Sequence, residues 1–301
     1  MADKKDYPKK IISFDKQIEQ LLERGMIIED VDTAKKFLRN ISYFRLQGFW
    51  WEFQVDKDNH KFKKNTTFEN VIDLYTFDRK LRLLIFDALE RIEISLRTKM
   101  VYYLSIETDQ WWFEDKNIFF NEDFFLESLE DIDKELGRTK EIFIESHYDK
   151  YGTENRPPAY KTLEVLSFGC LSKLYSNLKN EIVAKDRIAK EFNLPNHNFL
   201  KSWLQSFNTV RNIIAHHSRL WNRNIDIPPK SLHKTDFKFI QIPDNLNSLY
   251  HCLSCIVFVL NKVSEGHTVK EKIIDLLNDN SFIDIKEMGF PENWKEQPLW
   301  D

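Results

Sequence analysis

From position 68 to 106 the apolar residues keep to one side of a helix. Leu74, Phe77, Leu81, Leu84, Ala88, Ile92, Leu96 and Met100 recur every three or four positions, while Asp78, Lys80, Arg82, Asp87, Arg91 and Arg97 fall largely between them. Because an α-helix turns once in about 3.6 residues, this spacing gathers the apolar side chains on one face. Neither glycine nor proline occurs between Gly48 and Gly137, so nothing there obliges the chain to turn. The pattern predicts one long amphipathic helix over 68–106, or two that are nearly collinear.

The same periodicity predicts shorter helices elsewhere. One covers 14–24 and closes on Gly25; a second covers 33–46 after Asp32 as N-cap; together they make a helical hairpin. Further helices are expected at 126–148, with Gly137 as a break, and at 162–178, 186–192, 199–221 and 246–263. Gly152, Pro157 and Pro158 mark a linker over 151–160. The stretch FKFIQI, 237–242, reads as a short strand, and one strand makes no sheet. The expected architecture is all-α: a small N-terminal helical appendage, 1–66, on a larger helical bundle, 67–301.

Composition limits the function more than the fold. With 42% hydrophobic and 14% aromatic residues there is ample material for a core. A net charge of −4 argues against a protein that coats nucleic acid or acidic membrane through bulk positive charge, so any anionic ligand must meet a local patch. Cys170, Cys252 and Cys255 form no even disulfide framework, and Cys252-x-x-Cys255 lies in an apolar run without a second pair, which reads as packing rather than a metal site. The opening MADKKDYPKKIISFDKQ has no apolar run of the secretory kind, and the greasiest stretch, 253–260, soon meets Lys262 and Glu265. These features lead us to expect a cytoplasmic protein with reduced thiols that does not enter a membrane.

The local patch exists. From 199 to 235 there are six Lys or Arg residues against a single Asp. Within it, VRNIIAHHSRLWNR, 210–223, places Arg211, Asn212, His216, His217, Arg219, Asn222 and Arg223 among apolar residues. If one helix runs through 221, then Asn212, His216, Arg219 and Arg223 share a face, while Arg211 and His216 stand about 140° apart around the axis. Three arrangements would bring those two together: a helix that begins near Arg211, a π-bulge between them, or a second copy of the motif facing the first. A histidine can exchange a proton near neutral pH and an arginine can grip a phosphate with two donors, a pairing suited to cleaving an RNA phosphodiester without a metal or cofactor. The alternative is that the two histidines and Trp221 sit between core and surface, with the arginines paired to acidic residues such as Glu90 and Glu93.

The form RNIIAH resembles the signature of the HEPN superfamily of helical ribonucleases. The longer RNIIAHHSRLWNR is similar to the Abi family of bacterial abortive-infection proteins, those of the AbiD and AbiF kind that act in bacteriophage resistance. The segments 41–53, 74–100, 163–178 and 288–300 agree with that likeness. The resemblance implies a HEPN-type helical core, a homodimer whose two motifs meet in one cleft, and a ribonuclease toxin held quiet in healthy cells. It implies Arg211 and His216 as the catalytic pair, Asn212 and His217 in support, and Arg219, Asn222 and Arg223 in RNA binding or helix positioning. RNA is the implied partner, as substrate and as a regulatory non-coding RNA; a non-catalytic protein that grips a structured RNA is the alternative. A second, independent RNA contact is suggested by YFRLQGFWWEF, where Arg45 is interleaved with aromatics able to stack bases; those aromatics could equally be core.

Overall fold

A computed structural model describes residues 10–232 and 239–301. Twelve α-helices are found among them, with one two-stranded hairpin, so the protein is all-α. The chain forms two compact units, Met1–Lys80 and Leu81–Asp301.

In the first unit α1, Phe14–Glu23, starts on the Ser13 side chain, which accepts from the Lys16 amide, and buries Ile18 and Leu21 one turn apart. It ends at Gly25, whose φ of +90° is left-handed; there the Met26 amide reaches back to the Leu21 carbonyl and the Gly25 amide to Leu22. This is a Schellman turn, and glycine takes its left-handed position without a Cβ clash. The helix expected at 33–46 is two: α2, Val31–Ile41, and α3, Tyr43–Trp50, separated by Ser42 at φ +71°. Asp30 rather than Asp32 is the N-cap, accepting from the amide and hydroxyl of Thr33. Ser42 then caps α3 through the Arg45 amide. The sheet, unanticipated, is the hairpin β1, Gln54–Asp56, with β2, Lys61–Phe62.

The long helix, α4, spans Phe68–Glu107, within a residue of the expected bounds, and continues into the second unit. There its buried stripe is Ile85, Ala88, Leu89, Ile92, Leu96, Met100 and Leu104. Next come α5, Glu122–Arg138; α6, Ile142–Tyr151; α7, Ala159–Thr162; α8, Phe168–Asn177; and α9, Val183–Glu191. Then follow α10, His197–Ala215; α11, Leu249–Val263; and α12, Val269–Asp279. The helix α11 is buried from Leu249 to Leu260, Cys252 and Cys255 included, and burial pushes the Cys252 thiol up to about 12 against the opposing hydrogen bond with Ser206. Residues 239–242 of the expected strand are not strand; 237 and 238 lie outside the described residues.

After α12 the chain lays Phe290 and Trp300 against Tyr250 of α11, with Trp294 packed edge-on against both of them. The close approach needs Gly289: its φ is +85°, and a Cβ there would stand 2.4 Å from the Cβ of Ser248, the residue that caps α11. No helix among the described residues is long and apolar enough to cross a membrane.

Candidate functional site

The motif occupies the last turns of α10. Asn196 caps the start of that helix, and the His197 amide and ring both bond the Asp186 carboxylate of α9, at 2.8 and 2.7 Å. Leu200, Trp203, Leu204, Phe207, Val210 and Ile214 recur every three or four positions and are buried, against α8, α9 and α11. Among the remaining positions, Lys201, Gln205, Asn208, Asn212 and His216 follow one another at intervals of three or four, which makes a single polar stripe along the helix.

The helix does not reach Trp221. It stops at Ala215, with His216 as C-cap at φ −85° and His217 at φ +55°. The Ser218 amide bonds the Ile213 carbonyl at 3.0 Å and the His217 amide bonds Ile214 at 2.9 Å. This is the same Schellman turn as at Gly25, with histidine in the left-handed position. The shared helical face expected for Asn212, His216, Arg219 and Arg223 is therefore wrong for the two arginines, which lie on the turn beyond.

That turn is held by what it buries. Leu220, Trp221 and Ile225 are in the core, and the Ile225 amide and carbonyl both bond Asn247. The Arg219 guanidinium lies over the Trp221 ring at 5.9 Å, and Arg223 donates to the Arg219 carbonyl at 3.4 Å. Asn222 takes a left-handed φ of +47° and donates to Glu287 at 3.1 Å. Arg223 is exposed and Arg219 half-buried, so both present charge at the end of α10.

Arg211 is half-buried and Asn212, His216 and His217 are exposed. On α4, Glu93 receives Arg97 at 3.1 Å. Burial raises the Glu93 carboxyl above its usual value, and the charges of Arg97 and Arg211 pull it part of the way back. Arg211 thus presents its charge to Glu93. Arg97 also donates to the carbonyls of Leu163 and Leu166, at 2.8 and 3.1 Å, which fixes the turn between α7 and α8. The grip of Arg97 on 163–166 has no signal in the sequence, because it is made to backbone.

Of the three ways to align Arg211 with His216, the first two fall away. The helix begins fourteen residues before Arg211, not at it, and is α-helical without a π segment through Ala215. In one chain the pair diverges. Arg45 is exposed on α3 of the first unit, Tyr43 is half-buried with Arg24 at 2.6 Å from its hydroxyl, Trp50 is buried and Phe44 exposed.

Other constellations are closed. Ser231 and His251 stand 3.3 Å apart, like a nucleophile and its base, but both are buried, His251 wholly. Among the described residues no three His, Cys, Asp or Glu are grouped to hold a metal ion.

In comparison with known families, the model described as Abi-like protein fits residues 36–222. No curated protein and no solved structure matches the chain. The matched range includes the Glu93–Arg97 pair and all of α10, and it ends on the turn at Asn222.

Proposed function

Because the chain belongs to the Abi-like protein family, we propose that it is an abortive-infection effector of phage defence that cleaves RNA without a metal. The observation that carries this reading is the end of α10. An exposed imidazole at His216 closes the helix, the turn after it carries Arg219 and Arg223, and Arg211 lies in the helix's last turns, in a protein whose net charge is negative.

In this reading the RNA 2′-hydroxyl attacks its own phosphorus. A histidine accepts the hydroxyl proton as the O2′–P bond forms, and a proton is returned to O5′ as the P–O5′ bond breaks, leaving a 2′,3′-cyclic phosphate and a 5′-hydroxyl. The charge growing on the phosphoryl oxygens is met by Arg211. The 140° divergence within one chain supports a homodimer, in which Arg211 of one copy works with His216 of the partner subunit. Arg219 and Arg223 carry the RNA backbone past the site, and a regulatory RNA would occupy the same cations.

The test is incubation of the purified protein with labelled single-stranded RNA in EDTA, beside His216→Ala and Arg211→Ala variants of matched mass and melting temperature. Cyclic-phosphate ends are expected from the wild type, with a loss of about 10²–10⁴-fold in each variant. RNA binding with no cleavage above the variants' background would favour the non-catalytic RNA-binding protein instead.

A further inference from the structure

The polar stripe of α10 leads away from His216 into a cleft. About 610 Å³ in volume, the cleft lies between α5, α8 and α10 and is lined on the α10 side by Lys201, Gln205 and Asn208. Asn208 and His216 are separated by a rise of about 12 Å along the helix, the span of a few nucleotides. Opposite stand Phe120 and Phe124, 83% and 58% exposed. Their sequence neighbours Phe119 and Phe125 are buried with ring centroids 5.1 Å apart, so in FFNEDFF one ring of each pair serves the core and the other faces outward.

This wall is built before any ligand arrives. The Phe120 amide bonds the Asn177 carbonyl, the Asn121 amide bonds the Asn177 side chain, and that side chain returns a bond to the Asn121 carbonyl at 2.9 Å. Asn121 also caps α5. Those two amides are therefore spent on the fold, while Gln205 and Asn208 face the cleft. Gly169 of α8 faces the Asn208 amide: a Cβ there would stand 3.4 Å from its oxygen, in van der Waals contact. The buried Ser176 hydroxyl in the same wall has no hydrogen-bond partner among the described residues, a polar atom the fold does not satisfy. Lys173 is paired with Asp131 and Glu127 also lines the cleft, so the cation it offers a ligand is Lys201, which bonds no carboxylate among the described residues.

Outward aromatic rings, unspent amides and a lysine, in a space the size of one small ligand, match what a single-stranded nucleotide offers: a base face, a base edge and a phosphate. The geometry points to this cleft as a subsite for one unpaired nucleotide of RNA, the base on Phe120 and Phe124, its edge toward Gln205 and Asn208 and its phosphate toward Lys201. The assignment rests on the RNA reading above and deepens it, since it places a recognised nucleotide a few positions from the bond at His216.

The probe is a fluorescein-labelled single-stranded dodecamer of 2′-O-methyl RNA, which cannot be cut because it lacks the attacking hydroxyl. Its affinity would be measured by anisotropy for the wild type, Phe124→Ala, Asn208→Ala and Gly169→Leu, with Phe282→Ala as an exposed-ring control. Melting temperatures are matched throughout. Phe124→Ala is expected to weaken binding about tenfold, the loss of one base stack, and Gly169→Leu to weaken it by filling the cleft. If the wild type cuts unmodified RNA while the cleft variants bind and cut as it does, the cleft assignment falls and the nuclease reading stands. If the cleft variants lose affinity while no RNA is cut, the assignment stands and the nuclease reading falls. A wild type that does not bind the dodecamer overturns the assignment.

Discussion

Gly25 and His217 occupy the same position of the same motif: each is the left-handed residue of a Schellman turn, at φ +90° and +55°. At the end of α1 the chain uses the residue that makes this conformation free of strain, and at the end of α10 it uses one that does not. A left-handed φ costs an ordinary residue about 1–2 kcal/mol. Retaining histidine there is what a side chain with a task beyond folding would require. His217→Gly is therefore expected to raise stability by about 1 kcal/mol in urea unfolding while lowering RNA cleavage. Unchanged cleavage in the stabilised variant would remove His217 from the site.

Glu93 supplies a pH signature. Burial holds its carboxyl above the ordinary value of 4.5, so the folded state binds the proton more tightly than the unfolded chain does. The unfolded chain thus carries fewer protons in the window that opens at 4.5 and extends upward, and stability contributed by this group falls as pH rises through it. Comparing urea midpoints of wild type and Glu93→Gln from pH 4 to pH 7 should show the variant gaining relative to the wild type as pH rises. A constant difference across that range would mean the carboxyl is not perturbed.

Arg97 should not tolerate lysine. Its guanidinium bonds Leu163, Leu166 and Glu93 from one planar fork, and an ammonium on a flexible stem cannot hold that geometry. Arg97→Lys is expected to cost about 1–3 kcal/mol, since two half-buried carbonyls lose a charged donor. The measurement is the unfolding free energy, read beside cleavage of RNA, which is expected to fall because the turn at 163–166 and the Glu93 carboxylate both lose the guanidinium that holds them.

Gly289→Ala tests the C-terminal packing. The new methyl would meet Ser248 well inside van der Waals distance and take a left-handed φ, so a loss of about 2–4 kcal/mol is expected in thermal or urea unfolding. Stability within 0.5 kcal/mol of the wild type, roughly the scatter of a surface substitution, would show that the contact relaxes freely.

How far the sequence discloses this molecule depends on where its stops are written. The helix α4 could be read almost to the residue, because its apolar period is long and neither Gly nor Pro interrupts it. The turn at Gly25 was equally legible. By contrast α10 was extended by six residues, because Leu220 keeps helical spacing with Ile213 and because His217 gives none of the warning a glycine would. Ser42 concealed the break between α2 and α3 in the same way. Helical spacing puts Arg219 and Arg223 on one face with Asn212 and His216, but the helix ends at Ala215, so that face does not extend to them. Lys201, Gln205 and Asn208 recur at intervals of four and three, continuous with Asn212, but only the fold brings Phe120 and Phe124 into the same cleft.

Asn222 is the last residue of the family match, and the carboxylate that clasps it, Glu287, lies outside that match, two residues before Gly289. The cationic turn is thus fastened from beyond the matched range. Removing the Glu287 carboxylate would loosen Asn222, and with it the arginines on either side, without altering a residue of the motif.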